Sequence, residues 1–420
     1  MVQQFDLDVG AKVLCDNIES SEVASIGYWF LHGSRDESES ERGYSHFLEH
    51  MLFKGTKKRT AFQIVQEIDR VGGILNGFTE KETTCYYCTM PKEYLRLSID
   101  ILTDIVFNSV LDPAEIEKEK QVVINEILSI LDTPEELAYE HFVNRLWHSH
   151  PLAQSITGTV EHIKGITKEK LEVFYKERYN VSNLIISIAG DFDVKQMLET
   201  IGEKLASFNR DKYIVERTPP VRQPSWEYIE GRFNQVQIFS GAEFNIWNDK
   251  LHTLYSIMVF STLVGESMSS RLFQEIREKK ALCYSILTSR SLYSDTFLWT
   301  IYTSTAPEQV IDIITALNNE LIRLLKNLPN KNEIEDAKTH LKGHLILAKF
   351  DMETRMKRLV RIYAFLGDLL EYTDSIKNID LVNEESIVEI TKELIKSDRF
   401  NLTAFGSKGI KDFNKYCFNF

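Results

Sequence analysis

The chain has 420 residues, 43% hydrophobic and 26% charged, with 62 acidic against 49 basic side chains and a formal net charge of −13. That length exceeds one ordinary core and predicts two or three domains, and the composition is that of a soluble globular protein. The acidic balance speaks against nucleic-acid binding, which depends on neutralising phosphates, and no run of 18 apolar residues is present to span a membrane.

Residues 1–6 carry neither a basic segment leading into an apolar one nor an Arg- and Ser-rich transit pattern. The location expected is therefore cytoplasmic, as in bacteria, or the mitochondrial matrix if a presequence has been removed. Val23–Leu31 reads as a strand. The acidic run Asp36, Glu37, Glu39 and Glu41 follows, either a solvated loop or a feature that favours basic, presequence-like peptides. Thr60-Ala-Phe-Gln63 is a capping box that opens a helix to about Arg70. Thr83–Met90 is β-branched and aromatic and predicts a strand. It contains Cys85-Tyr-Tyr-Cys88, whose spacing matches redox or zinc-ribbon motifs. With no second pair, the two cysteines are expected to point to opposite faces of the strand. Five cysteines (Cys15, Cys85, Cys88, Cys283, Cys417) are too few and too scattered for a disulfide framework.

Asp112-Pro113-Ala114-Glu115 supplies an N-cap, a first-turn proline and a carboxylate for a helix through Ile130, and Thr133-Pro134-Glu135-Glu136 repeats the device. Leu184–Ala189 is another strand. Three prolines between Thr218 and Pro224 mark an extended linker. Beyond it the order of elements restarts: a strand at Gln235–Ser240, helices at Thr253–Val264 and Arg271–Lys279, and strands at Tyr284–Leu292 and Thr296–Thr303. A long helix begins near Pro307, and helices follow at Glu333–Phe350 and Glu353–Leu366. The expectation is an α+β fold of two similar domains related by duplication, each a mostly antiparallel sheet flanked by long helices. The boundaries are 1–212, a linker at 213–225, and 226–420.

The chemistry concentrates at His46-Phe-Leu-Glu49-His50. On a helix, i and i+4 project from one face, so both imidazoles can reach one ion at about 2.0–2.1 Å. Glu49 borders that face, where a general base belongs; H-x-x-E-H is the inverted zincin signature. A third ligand is required, and the helix opened by Asp112 offers Glu115, Glu117, Glu119 and Glu126. Glu119 and Glu126 lie about 10 Å apart along the axis, so one would be a ligand and the other an orienting partner. Glu126 is the more apolar in context. Two further histidine pairs are weaker. His148/His150 has no carboxylate cluster, and His340/His344 has no glutamate between its members, with Gly343 suggesting close packing there.

With these residues in view, the chain resembles the pitrilysin/insulinase family of metallopeptidases, most nearly its processing-peptidase branch (mitochondrial β-subunits and their bacterial relatives). Gly43–Thr56 is very like the family's active-site segment. Val122-Val-Ile-Asn-Glu126, beginning 72 residues past His50, is similar to the segment of the third ligand, and Glu119 stands where the family has an earlier glutamate. Asn76–Tyr86 resembles the strand that pairs with bound peptide, with Gly77 where alanine is more usual. Ser269–Tyr284 is similar to the C-terminal signature, whose arginine and tyrosine are here Arg277 and Tyr284. The glycine-rich loop of the noncatalytic processing subunit is not evident.

The resemblance implies a zinc endopeptidase with one Zn2+ per chain, held by His46, His50 and Glu126, with Glu119 behind the ligands. It implies Glu49 as base, and Arg277 and Tyr284 at the substrate and the tetrahedral intermediate. Asn76, Gly77 and Phe78 would bind the peptide. Four such domains enclosing a chamber imply a homodimer, or a heterodimer with a homologous chain. The competing readings are a noncatalytic scaffold or partner subunit, and a di-iron carboxylate bundle, which would need paired Glu-x-x-His helices.

Overall fold

Strands rich in β-branched and aromatic residues alternate with side-chain-capped helices along the chain. The computed structural model describes residues 2–223, 225–244, 249–396, 398–407, 410, 413 and 418. The first elements are β1 (Val2–Asp6), β2 (Lys12–Asn17), β3 (Val23–Phe30), α1 (Tyr44–Leu52), α2 (Ala61–Asp69), β4 (Ile74–Thr79) and β5 (Thr84–Pro91). Then come α3 (Leu95–Phe107), α4 (Pro113–Asp132), α5 (Pro134–Leu146), α6 (Val160–Lys164), α7 (Lys168–Arg178), β6 (Leu184–Gly190) and α8 (Val194–Leu205). The remainder holds β7 (Trp226–Glu230), β8 (Val236–Phe244), α9 (Lys250–Ser261), β9 (Ile286–Leu292), β10 (Phe297–Thr305) and α10 (Val310–Lys326). It ends with α11 (Lys331–Ala348), α12 (Met352–Leu366), α13 (Tyr372–Leu381), α14 (Glu384–Leu394) and β11 (Phe400–Gly406).

Packing divides the chain into two units. One holds residues up to Leu128, Gln154–Arg217 and Ala348–Glu371; the other holds Ser129–Ala153, Thr218–Leu347 and Tyr372 onward. The chain passes from one to the other between Arg217 and Thr218, within the segment read as a linker. The division is not a linear cut, because two helices are exchanged, and burial explains both. α5 places Phe142, Val143 and Leu146 in a core with Phe239, Leu298, Tyr302 and Phe405 of the second unit. α12 places Met356, Leu359 and Val360 against Leu14, Trp29, Cys85 and Ile185 of the first. Pro224, in the segment read as a linker, and Cys417 lie outside the described residues.

In the first unit the sheet order is β1-β2-β6-β3-β5-β4. β2 and β6 run parallel and the other neighbours antiparallel. α1, α3 and α4 contribute to the core that includes Phe47, Leu48, Ile99, Leu102, Val123 and Ile127. Cys88 belongs to this core and Cys85 to the α12 core, so the two cysteines do lie on opposite faces of β5. In the second unit the order is β7-β11-β8-β10-β9, with β7 and β11 parallel. Five strands thus recur in the same spatial order with the parallel pair in the same place, which is the duplicated α+β fold.

A residue-level trace of the duplication survives in α4 and α11. Glu115-Ile116-Glu117 and Lys120 recur as Glu333-Ile334-Glu335 and Lys338. Lys120 and Lys338 are both buried. Lys120 Nζ meets Glu117 Oε1 at 2.6 Å and Lys164 O at 3.5 Å. Lys338 Nζ meets Glu335 Oε1 at 2.9 Å and the carbonyls of Asp380 and Val382 at 3.0 Å each.

The sequence reading missed β1, β2, β7 and β11, and the segment Asn76–Tyr86 is a hairpin, not one strand. Residues 273–279, read as α-helix, form a π-helical turn, as do 262–266 after α9.

Candidate metal centre

α1 is nine residues long, and seven of them are buried, including His46, Phe47, Leu48, Met51 and Leu52. Its N-terminus starts from Gly43, whose φ of 85° favours glycine. A Cβ there would come within 2.6 Å of the Thr157 carbonyl oxygen. The first orphan N–H groups are not left bare. Gly43 N donates to Glu37 Oε2 at 2.8 Å and Ser45 N to Glu37 Oε1 at 2.6 Å.

The acidic run before α1 is therefore structural. Besides Glu37, Asp36 accepts from Arg217 Nε and Nη2 at 2.8 Å each, and Glu41 Oε2 accepts from Arg178 Nη2 at 2.9 Å. Glu39 is the member whose side chain stays largely exposed. The run builds the approach to α1, a role distinct from the expected preference for basic peptides.

α4 opens as the sequence predicts, with Asp112 Oδ1 accepting from Ala114 N at 2.8 Å and Glu115 N at 3.2 Å. Burial of Ile116, Val123, Ile124 and Ile127 sets its orientation and brings Glu119 and Glu126 to α1. The ligand atoms of His46, His50 and Glu126 all lie within 4.8 Å of one another. His46 Nε2 is 3.4 Å from Glu126 Oε1, and His50 Nε2 is 3.7 Å from Glu126 Oε2. These separations are long for hydrogen bonds. They suit a shared ion, since donors at about 2.0–2.1 Å from a tetrahedral zinc sit roughly 3.3–3.5 Å apart. Two imidazoles and a carboxylate are the three-residue donor set of a catalytic zinc site. The residues present fit the metal.

Glu119 is buried behind this triad. Its Oε1 accepts from His50 Nδ1 at 2.8 Å, and Lys54 Nζ stands 2.6 Å from its Oε2. Burial raises the Glu119 carboxyl, but the bonds to His50 and Lys54 outweigh it and hold the group below the ordinary range. For Glu126 the contact with His46 comes first and lowers its pKa. Glu49 is raised, mainly by burial, against a hydrogen bond from Thr79 Oγ1 to its Oε2 at 2.7 Å.

Asn76, Gly77 and Phe78 lie on β4, whose outer side pairs with no strand among the described residues. Phe78 packs toward α12, with its ring 5.4 Å from that of Trp29 and Lys357 Nζ 4.9 Å above it. A Cβ at Gly77 would meet the Phe53 ring and Cys85 O at 3.2 Å, so the glycine lets β4 lie close to the end of α1. Arg277 and Tyr284 belong to the second unit, where the guanidinium stacks 4.4 Å over Phe273 and 5.2 Å from the Tyr284 ring. Tyr284 is 82% exposed.

The weaker pairs gather no third donor among the described residues. His150 has both ring nitrogens engaged, with Thr218 O at 3.0 Å and Leu152 N at 3.2 Å. The rings of His340 and His344 lie 4.4 Å apart, tilted by 35°, on an exposed face. A Cβ at Gly343 would meet nothing within 4 Å, so close packing is not its reason. In the α4/α11 register, Glu119 and Glu126 correspond to Ala337 and His344, so α11 lacks both carboxylates. Lys54 and Thr79 escaped the sequence reading; both lie inside segments it singled out, but their partners are far along the chain.

Comparison with known proteins bears on family and fold. The profile of insulinase (peptidase family M16) matches residues 12–160, and that of the peptidase M16 inactive domain matches 165–341. An uncharacterized zinc protease of Rickettsia felis is 33% identical over 380 residues, covering 89% of this chain and 92% of its own. The uncharacterized zinc protease YmxG of Bacillus subtilis is 29% identical over 406 residues, covering 95% and 97%. Among solved structures, a protease from Helicobacter pylori superposes with a TM-score of 0.87 at 21% identity, covering 97% and 99%. A peptidase M16 inactive domain from Pseudomonas fluorescens gives 0.90 at 18%, covering 98% and 99%.

Proposed function

The chain belongs to the insulinase family of peptidases, family M16, and from that premise we propose that it is a zinc-dependent endopeptidase acting on short extended peptides. The observation that carries the reading is the convergence of His46, His50 and Glu126 on one point, with Glu119 bonded to His50 behind them. His46, His50 and Glu126 would hold one Zn2+ per chain. When bound, zinc supplies Lewis acidity, lowering the pKa of a water toward about 7 and polarising the scissile carbonyl.

The chain's own residues do the rest. Glu49 accepts the proton from the attacking water and returns it to the leaving amine. Glu119 fixes the His50 tautomer: an ionised carboxylate can only accept, so Nδ1 carries the hydrogen and Nε2 offers its lone pair. The peptide would add as a further strand to the free side of β4 at Asn76–Phe78, with main-chain pairing giving sequence-tolerant binding. Arg277 and Tyr284 are proposed to contact the substrate and stabilise the oxyanion. A homodimer, or a heterodimer with a homologous chain, is the assembly this role calls for.

The test is cleavage of a mixture of peptides of roughly 10–30 residues, the extended class that strand addition accommodates, with and without chelator, beside Glu49→Gln. Among the described residues no helix is long and apolar enough to cross a membrane. A noncatalytic subunit would bind zinc or peptide without turnover, so the same assay separates the two roles.

A further inference from the structure

We infer that Thr79 is the positioning residue of Glu49, tying the last residue of the edge strand β4 to the orientation of the general base; this rests on the peptidase reading above. The geometry is direct. Thr79 Oγ1 donates to Glu49 Oε2 at 2.7 Å, and it is the one hydrogen-bond donor to that carboxylate among the described residues. β4 alternates, so Phe78 turns to the α12 face while Leu75, Gly77 and Thr79 turn to the α1 face. The contact depends on how near β4 lies to α1, and the absent side chain at Gly77, against the Phe53 ring, permits that approach. Thr79 is in turn held in register opposite Thr84 of β5, so its backbone does not slide.

The chemical consequence follows from which oxygen is engaged. A hydroxyl hydrogen on Oε2 leaves Oε1 as the oxygen that takes the proton of the attacking water and passes it to the leaving amine, while Thr79 keeps its own. Left alone, a half-buried glutamate with several rotatable bonds would sample many carboxylate orientations, and fixing one shortens the search for the productive geometry. A peptide that pairs with β4 also steadies the strand from which Thr79 projects. Substrate binding and base alignment thereby share one structural element. That coupling predicts an effect on turnover with little effect on binding.

The experiment compares wild type, Thr79→Val, Thr79→Ser and Glu49→Gln on one internally quenched peptide, with zinc per chain and thermal melting recorded for each. Thr79→Val is expected to lower kcat about 10- to 100-fold, the range of a hydrogen bond to a charged group. KM and zinc content should stay at wild-type values, and Thr79→Ser should restore kcat to within about 3-fold, since it keeps the donor. Unchanged kcat in Thr79→Val, with Glu49→Gln inactive, would overturn this inference and leave the peptidase reading intact. Equal loss in Thr79→Val and Thr79→Ser, accompanied by lost zinc or a lowered melting temperature, would assign Thr79 a structural role and also overturn it. Activity in Glu49→Gln equal to wild type would remove the peptidase mechanism and this inference with it.

Discussion

Nδ1 of His50 lies 2.8 Å from Oε1 of Glu119, and the other oxygen of that carboxylate is held 2.6 Å from Lys54 Nζ. The three side chains form a line in which a cation fixes a buried carboxylate and the carboxylate fixes the His50 ring. Removing such a partner typically costs about 10- to 100-fold in metal affinity. Glu119→Gln should weaken zinc binding by that factor, and Lys54→Met by a smaller one in the same direction. Competition with a fluorescent chelator measures both; unaltered dissociation constants would contradict the arrangement.

Glu126→Gln should leave the folded chain without retained zinc after desalting, because two imidazoles alone do not complete the site. His340→Ala/His344→Ala, on the exposed face of α11, should leave zinc content at one per chain. Metal analysis of these two variants beside wild type distinguishes the candidate centre on α1 and α4 from an adventitious pair.

Glu37 gives a pH dependence. Burial pushes its carboxyl from 4.5 up to about 7, against the backbone bonds from Ser45 and Gly43. A carboxyl with a raised folded-state pKa contributes stability that is present below about pH 4.5 and is lost as pH rises through about 7. Relative to Glu37→Gln, wild type should therefore lose on the order of 2 kcal/mol between pH 5 and 8. Parallel melting-temperature curves for the two proteins across that range would contradict the assignment.

The exchange of helices makes a packing prediction. Leu359 of α12 is 2% exposed and belongs to a core with Trp29, Cys85 and Ile185 of the first unit. Leu359→Ala should destabilise that unit by about 2–5 kcal/mol. Urea unfolding followed by Trp29 fluorescence, in a background lacking the other tryptophans, would report it.

How much of this was legible in the sequence depends on the range of each interaction. The His46/His50 pair, the Thr60 and Asp112 caps and the opposed faces of Cys85 and Cys88 are local, fixed by helix and strand periods, and could be read directly. β2 and β11 could not, because Lys12–Asn17 ends in polar residues and Phe400–Gly406 follows a charged stretch. Their burial comes from neighbours far along the chain. The division into units was likewise hidden, since nothing local in α5 or α12 says which core each will enter. Duplication did leave a signal in the recurrence of Glu115-Ile116-Glu117…Lys120 as Glu333-Ile334-Glu335…Lys338. The partners of the acidic run were not legible, because Arg178 and Arg217, which bind Glu41 and Asp36, lie far along the chain.

The most direct test of the central claim is zinc-dependent turnover measured together with metal content, in wild type and in Glu49→Gln. The account predicts one zinc per chain in both proteins, with peptide cleavage in wild type that chelator abolishes and zinc restores. It predicts no cleavage by Glu49→Gln. A wild type that binds no zinc, or a Glu49→Gln protein that cleaves as fast as wild type, would contradict it.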